Sequence, residues 1–566
     1  MKSRLHVTIE EKYQTTLQQR VASDDLWKDK QEFKLILGYP LNNRFSVASE
    51  FFSYILSDPF AGFDNDVMFH SGSTRLQYRP SPQISVSSHV SSKWQTQIEQ
   101  NDSGFGLGFG LNMNQIRFDG YHSDLAFSGE RDFFPKRKND DFRLRYQIGR
   151  EFHAATGDTL IILFNRLRRD SFDVDKDGVY IRNLSQTQRG FENRLNYQIS
   201  SSSSLSIRNI ITSTSFKVNN LRDTDKEIAK DDAGFESDHT FALRVQQPKW
   251  YGKISWNTRS RSRDDRRPED DFVDPLRSRH PSLGFDTDEI FVNLGVAVGF
   301  KFSGLDSIGF NSSVSKFQFD TSDTTNPNDH DQIRWQISFA HAHDFGSGLS
   351  LVWRANAFLN HFVFISGKFS GDNSWERVLQ LAPVIVYKPN ERFVFRQGFT
   401  VRAKYRTFDF NDSVARNRNS VNRQFSLFHK SRAYFTPKTW LDAGFHMELG
   451  EQGKLFYNLW RQGLALSWRT HEASLRFGYK AGSQFLISTG GSLFHQVRWN
   501  HRFESDSGFK KTVRDKHTNF GPVLQVSYQP GNHVQFVFLG SVKVVHSSGR
   551  ETDYINNFDV NLNWFF

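Results

Sequence analysis

Along most of this chain, polar and apolar residues alternate one by one in runs of about ten to fifteen, the period of a β-strand with two unlike faces. The clearest run starts at Phe393, where Phe393, Phe395, Phe399, Val401, Ala403 and Tyr405 share one face and Arg396, Thr400, Arg402 and Lys404 share the other. Its partner precedes it: Leu379, Leu381, Pro383, Ile385 and Tyr387 alternate with Glu376, Gln380 and Lys388. Lys388-Pro389-Asn390-Glu391 joins the two with residues that favour turns. The unit recurs. Phe33 to Tyr39 leads through Asn42-Asn43 into Phe45, Phe191 to Ile199 through serines into Leu205, and Ile290 to Phe300 through Ser303-Gly304 into Ile308. Ile333 to Phe339 turns near Gly346 into Leu349, and Leu524 to Tyr528 turns at Pro530-Gly531 into Val534.

About twelve short turns are expected, near residues 42, 81, 113, 155, 202, 249, 304, 346, 389, 437, 470 and 531. Longer polar connections lie between them, at 173–187, 219–237, 262–288, 321–331, 411–420 and 504–517. Two strands per short turn, with a first and a last strand added, give about 26 strands, within a range of about 24 to 28. One stretch breaks the parity. Between 470 and 531 three strand-like runs (473–486, 492–503, 519–528) stand where the count permits two. Either a long strand is interrupted at Gly490-Gly491 or one turn is misassigned.

The fold class that follows is all-β: a single transmembrane antiparallel up-and-down β-barrel over residues 1–566, with short periplasmic turns and longer extracellular loops. A propeller would need four short strands and a recurring signature in each interval of about 40 residues, and neither is present. Aromatic residues crowd the strand ends beside the short turns, among them Tyr39, Phe45, Tyr78, Phe152, Tyr197, Phe300, Tyr387, Phe393, Tyr434, Trp440, Trp468 and Tyr528. A membrane barrel uses such rings as an interfacial girdle.

At the C-terminus Phe558, Val560, Leu562, Trp564 and Phe566 share a face opposite Asn557, Asp559, Asn561 and Asn563. An amphipathic strand with a terminal Phe resembles the assembly signal of bacterial outer-membrane β-barrel proteins. The resemblance implies a large, porin-like barrel in the outer membrane, folded by the barrel-assembly machinery among outer-membrane lipid and lipopolysaccharide. It points to no particular family.

Composition narrows the chemistry. Cys is absent, which removes disulfides, thiolate metal sites and thiol catalysis. No run approaches the roughly eighteen apolar residues that a membrane helix needs. The +10 formal charge is spread singly along strands, so no nucleic-acid partner is expected. MKSRLHVTIEEKY lacks the apolar core of a secretory signal. With strand one starting near residue 5, no plug domain is expected within the chain.

Assigning the apolar face to lipid leaves a strongly basic lumen face: Arg143, Arg145, Arg194, Arg208, Arg244, Lys253, Arg259, Arg396, Arg402, Lys404, Arg461, Arg476, Lys480, Arg498 and Arg502. Glu151, Glu192, Glu376 and Asp559 are the fewer acids there. A wall with one excess sign attracts the opposite ion. Asn209, Gln397 and Arg150 fall on the lipid face, which implies a bulge, a register error or a contact with another subunit. Asp173, Asp175 and Asp177, followed by Gly178, have the opening spacing of a calcium loop. Leu184 stands where a bidentate Glu belongs, so a solvated turn is favoured over calcium, and no cofactor is expected. His341 and His343 read as interfacial residues rather than ligands. Arg266, Arg267, Glu269, Asp270, Asp271 and Asp274 suit a solvated loop or a lipopolysaccharide contact. No hydrolase elbow, zincin motif or phosphate loop occurs, so no enzyme is expected.

Three functions are left by these readings. The first is a porin-like or transport channel for small polar solutes, with anionic solutes as one candidate class. The second is a scaffold that houses or docks a protein partner, such as the sheath of a porin–cytochrome electron conduit or a secretion or surface-assembly pore. The third is the barrel of a truncated TonB-dependent receptor.

Overall fold

The computed structural model describes residues 5–19, 25–58, 66–97, 100–153, 156–175, 178–222, 225–265, 286–322, 328–410, 417–456, 461–504, 508–531, 533–549 and 552–565. Within them run twenty-six strands. The first is β1 (His6–Gln19), followed by the hairpins β2 (Leu26–Pro40) with β3 (Phe45–Ser57), β4 (Val67–Ser81) with β5 (Ile84–Gln97), and β6 (Gln100–Phe118) with β7 (Tyr121–Phe133). Next come β8 (Lys138–His153) with β9 (Thr156–Asp175), β10 (Gly178–Ser200) with β11 (Ser203–Arg222), and β12 (Asp225–Gln246) with β13 (Trp250–Asp265). The hairpins β14 (Thr287–Lys301) with β15 (Asp306–Thr321), β16 (His330–Gly346) with β17 (Leu349–Phe364), and β18 (Ser374–Asn390) with β19 (Phe393–Phe408) continue the wall. It ends in β20 (Ser420–Tyr434) with β21 (Thr439–Phe456), β22 (Arg461–Ala481) with β23 (Phe485–Glu504), β24 (Gly508–Tyr528) with β25 (Val534–Ser547), and β26 (Asp553–Phe565).

Each strand pairs antiparallel with its neighbours in sequence, and β1 pairs with β26, from Thr8 opposite Phe565 to Gln19 opposite Tyr554. Closure leaves no edge strand to aggregate. Polar side chains stitch the inner side of this seam, with Gln14 Nε2 donating to Asp559 at 3.1 Å and Thr16 Oγ1 to Asn557 at 2.9 Å. Phe558, Val560, Leu562 and Trp564 lie on the opposite, apolar face of β26, as expected; Phe566 falls outside the described residues.

Among the described residues the usual soluble core is missing. The accessible surface is 34881 Å², against about 21,000 Å² for a compact soluble chain of 65.7 kDa. The open inner wall adds polar surface, and the opposite face carries an apolar band: Ile290, Leu294, Val314, Val401, Leu475 and Leu493 are all more than a third exposed. Such a band is stable only against hydrocarbon, which identifies it as the lipid-facing exterior. Among the described residues, elements pack substantially only on their neighbours in the wall, apart from a short 3₁₀ helix, Gly367–Asp372, which rests on β17. No described segment crosses the lumen. At a strand spacing of 4.8 Å and a tilt of about 40°, twenty-six strands enclose a backbone ring roughly 50 Å across if it is round.

Nine of the expected short turns fall where the alternation places them, two do not, and the one at residue 155 lies outside the described residues. Residue 113 marks a bulge in β6, with Gln115 at φ 53°, and the true turn is Asp119-Gly120, both at positive φ. An Asp-Gly pair is the preferred two-residue hairpin turn. Residue 470 lies inside β22, whose turn is at 482–484 with Gly482 at φ 71°. Moving that turn restores the parity: 473–486 is the later part of β22 and its turn, not an extra strand. The polar stretches 173–187, 219–237 and 504–517 are largely strand as well. Strands of up to 23 residues exceed the roughly 10 needed to span, so these hairpins project beyond the band on the side away from the short turns. Backbone pairing continues there because it does not depend on apolar side chains. The acidic and basic cluster at 266–274 lies outside the described residues.

Candidate functional site: the inner wall

Register fixes which side chains share the lumen. Arg143 and Arg145 on β8, Arg194 on β10, Arg208 on β11, Arg244 on β12, Lys253 and Arg259 on β13, Arg396, Arg402 and Lys404 on β19, Arg461, Arg476 and Lys480 on β22, and Arg498 and Arg502 on β23 all lie opposite the apolar face. Some are neutralised. Glu192, buried, is held by Arg194 Nε and Arg208 Nε, each at 2.6 Å. Arg143 grips Asp141 through two bonds of 2.9 and 2.7 Å, Lys404 Nζ lies 2.7 Å from Glu376, and Arg498 Nε lies 3.9 Å from Asp515. The others have no carboxylate within ion-pair distance among the described residues.

Arg194 and Arg208 face one another but share Glu192, and Arg502 faces Lys510 near the end of the wall away from the short turns. Two further pairs of cations stand directly opposite one another without a bridging acid among the described residues, Arg244 with Lys253 and Arg396 with Lys430. Each is within a few residues of a short turn. Like charges opposed across strands are destabilising, so these pairs hold a surplus of positive field at the short-turn mouth of the lumen. Arg396 and Lys430 also edge a recess of about 940 Å³ shared with His446, Glu472, His517 and Lys543. Arg259 and Arg396 lie over the rings of Phe291 and Phe428 at 5.7 and 5.8 Å, which holds their planes against the wall.

A second recess, of about 600 Å³, forms where β4 to β9 pass side by side, and Arg75, His89, Glu130, Asp141, Arg143 and Arg145 line it. It owes its shape to β6, whose inward positions 104, 106, 108 and 110 are all Gly between outward Phe105, Leu107 and Phe109. Side chains from β5 lie flat across this bare strip. A Cβ at 106 would stand 2.4 Å from Ser91 Oγ and 2.6 Å from Asp132 Oδ1, and one at 108 would strike the His89 ring at 1.9 Å. Lys93 Nζ thereby reaches β7 and lies 2.6 Å from both Glu130 and Asp132. Lys93, His89, Arg75, Lys430 and Lys543 were not among the basic residues singled out from the sequence. The strict Gly-apolar repeat from Gly104 to Leu111 was the available signal for the first two.

Two of the exceptions on the outer face have side-chain partners: His239 Nδ1 lies 2.9 Å from Asn209 Oδ1, and Arg150 stacks on Tyr121 and Phe152 at 5.1 and 5.3 Å. Gln397 is opposite His429 in register. No bulge or register shift falls at Asn209 or Gln397, while the β8–β9 pairing shifts between Glu151 and His153, just past Arg150. Tyr434, Trp440 and Trp468 face inward by register instead of joining the girdle; the Trp440 and Trp468 rings lie over neighbouring-strand glycines, Gly478 and Gly450. Their indole nitrogens donate to Asp442 at 3.1 Å and Glu448 at 2.6 Å. His341 and His343 both approach Asp306 on the outer face beside a short turn. Asp173 and Asp175 are at the tip of the β9–β10 hairpin, where Arg182 reaches Asp173 at 3.4 Å; Asp177 lies outside the described residues.

No protein-family model and no curated protein sequence matches the chain. Solved structures are similar to it in outline. The FrpB iron transporter of Neisseria meningitidis (F5-1 variant) covers 99% of this chain and 82% of its own at 9% identity and a TM-score of 0.47. The siderophore receptor PirA from Pseudomonas aeruginosa covers 99% and 80% at 8% identity and a TM-score of 0.42, and pyoverdine-bound FpvA from the same organism covers 99% and 72% at 9% and 0.42. Fold and inner surface together define a class: a large up-and-down β-barrel of outer-membrane type, apolar outside and polar, with surplus cations, inside.

Proposed function

We propose that the protein is an outer-membrane transport channel whose lumen favours anionic solutes. The observation that carries this reading is the pair of opposed cations, Arg244 with Lys253 and Arg396 with Lys430. An arrangement that costs stability in the empty wall gains when an anion passes between its members. The recesses at Arg143–Arg145 and at Arg396–Lys430 supply further sites where an anion can pause without being trapped, as conduction requires. In this reading the short turns face the periplasm and β26 carries the outward aromatic face used in assembly.

Conductance of the purified barrel in a planar bilayer under a salt gradient tests it. A reversal potential displaced toward the anion supports the channel; a cation-selective current refutes it.

Width favours a second reading. A ring roughly 50 Å across exceeds what a small solute requires, and no described segment spans it. A scaffold housing a folded partner would use that space. A pore that conducts erratically alone and steadily with a co-purified protein would select the scaffold.

A further inference from the structure

The outer face of β22 to β24 changes character abruptly along its height. From the short-turn end it runs Tyr479, Phe477, Leu475, Ala473 on β22, Phe485 to Leu493 on β23, and Tyr528 to Phe520 on β24. The next outward positions are Arg469 and His471, His495, and Lys516 with Thr518. Arg469 Nε donates to His471 Nε2 at 2.6 Å, His471 is directly opposite His495, and His495 Nδ1 lies 2.8 Å from Thr518 Oγ1. Ten residues separate Tyr479 from Arg469, which at about 3.4 Å per residue and a tilt of about 40° is roughly 26 Å of height. That equals the height of the apolar band of an outer-membrane barrel, about 25 Å. The cations therefore sit at the far headgroup layer.

Arg469 and Lys516 have no carboxylate within ion-pair distance among the described residues. Glu451, the outer-face acid nearest in register, is opposite Ser467 and has Arg423 on its other side. Directly below the cations the wall is indented. A groove of about 720 Å³ runs between Leu475, Leu493, Phe520 and Pro522, and its floor is Gly490-Gly491. Gly491 stands between Leu475 and Pro522 in register and projects nothing outward. A little higher, Lys511 Nζ lies 4.2 Å over the Trp499 ring, a further cation at the interface.

We infer that this face is a specific site for a phosphate-bearing, multi-acylated lipid of the leaflet opposite the short turns. The phosphate is held by Arg469 and Lys516, with His471 and His495 as donors between them, and an acyl chain lies in the groove over Gly491. The inference rests on the membrane reading of the apolar band. Unpaired cations at headgroup height and an apolar groove beneath them complement the two ends of one amphipathic molecule. A free anion would use only the upper half.

The test is lipid retention by the full-length folded barrel, read by native mass spectrometry after exchange from detergent with diphosphoryl lipid A, its dephosphorylated form, phosphatidylethanolamine or inorganic phosphate. Wild type is expected to retain diphosphoryl lipid A selectively. Arg469→Gln and Lys516→Gln should each weaken retention roughly fivefold. Gly491→Leu should displace the chain without disturbing the wall, because a Cβ there meets only the Gly521 carbonyl oxygen at 3.6 Å. Equal retention by the charge variants, or equal retention of the dephosphorylated lipid, overturns the site. Displacement of the lipid by inorganic phosphate would mark a free-anion site and overturn the lipid assignment. Heat-modifiable gel mobility confirms that each variant is folded. Failure of wild type to enter bilayers would overturn the membrane reading itself, a result distinct from loss of selectivity within it.

Discussion

The ammonium of Lys93 lies 2.6 Å from the carboxylate of Asp132, although a whole strand separates their backbones. The link exists because β6 offers only Gly106 between them. Its partners are well shielded, with side chains 12% and 5% exposed, so removing one leaves the other with little access to water. Lys93→Met should therefore destabilise the barrel by about 3 kcal/mol, while Lys93→Met with Asp132→Leu should cost far less. Urea unfolding in lipid vesicles measures both, and equal losses for the single and double variants would show that the pair is not coupled. Gly106→Val should resemble the single variant, since its side chain occupies the path of the lysine.

The opposed cations make a prediction in which stability and function move in opposite directions. Lys253→Glu converts the pairing with Arg244 from like to unlike charge and should stabilise the wall by about 0.5 kcal/mol. The same change should lower the anion preference of the channel, seen as a reversal potential shifted toward zero. A stabilised barrel with unchanged selectivity would place the functional cations elsewhere.

Much of the wall was legible because a barrel that faces lipid on one side and water on the other must alternate, and turn residues must interrupt it. Asn390 and Pro530-Gly531 mark their turns plainly. The failure at residue 470 has a physical cause. Arg469 and His471 point outward at the headgroup layer while Thr470 and Glu472 point inward, so both faces are polar and the alternation vanishes inside a continuous strand. Loss of period two marks either a turn or a strand leaving hydrocarbon, and the sequence does not separate them. Gly482, at positive φ, marks the real turn. The recess beside β6 was hidden for another reason: it depends on which strands are neighbours across Gly104 to Gly110, and on side chains crossing that strip, not on any one run. The basic face was visible in outline, but which cations are left unpaired is decided by register between strands.

On the lipid face, register separates harmless from costly charges. Leu294, at mid-height on β14, is half exposed and outward, and Asn293 beside it is inward. Leu294→Arg should cost about 2–4 kcal/mol, as expected for a cation near the bilayer midplane. Asn293→Arg should be nearly neutral, since it meets the aqueous lumen. Unfolding midpoints of the two variants in the same vesicles check this. Similar costs for both would mean that the inner and outer faces are wrongly assigned.

Asn209 and His239 form a polar couple within the apolar exterior, 2.9 Å apart. In hydrocarbon each is tolerable only through the other. Asn209→Leu should leave the imidazole unpartnered and cost about 1–2 kcal/mol, and His239→Leu should leave the amide in the same position. Replacing both by Leu should recover most of the loss, because two apolar side chains suit the surrounding lipid better than one orphaned dipole. A double-mutant cycle in vesicles gives the coupling directly. If the double variant is instead as unstable as the sum of the singles, the couple meets another protein rather than lipid, and cross-linking from position 209 should then capture a second chain.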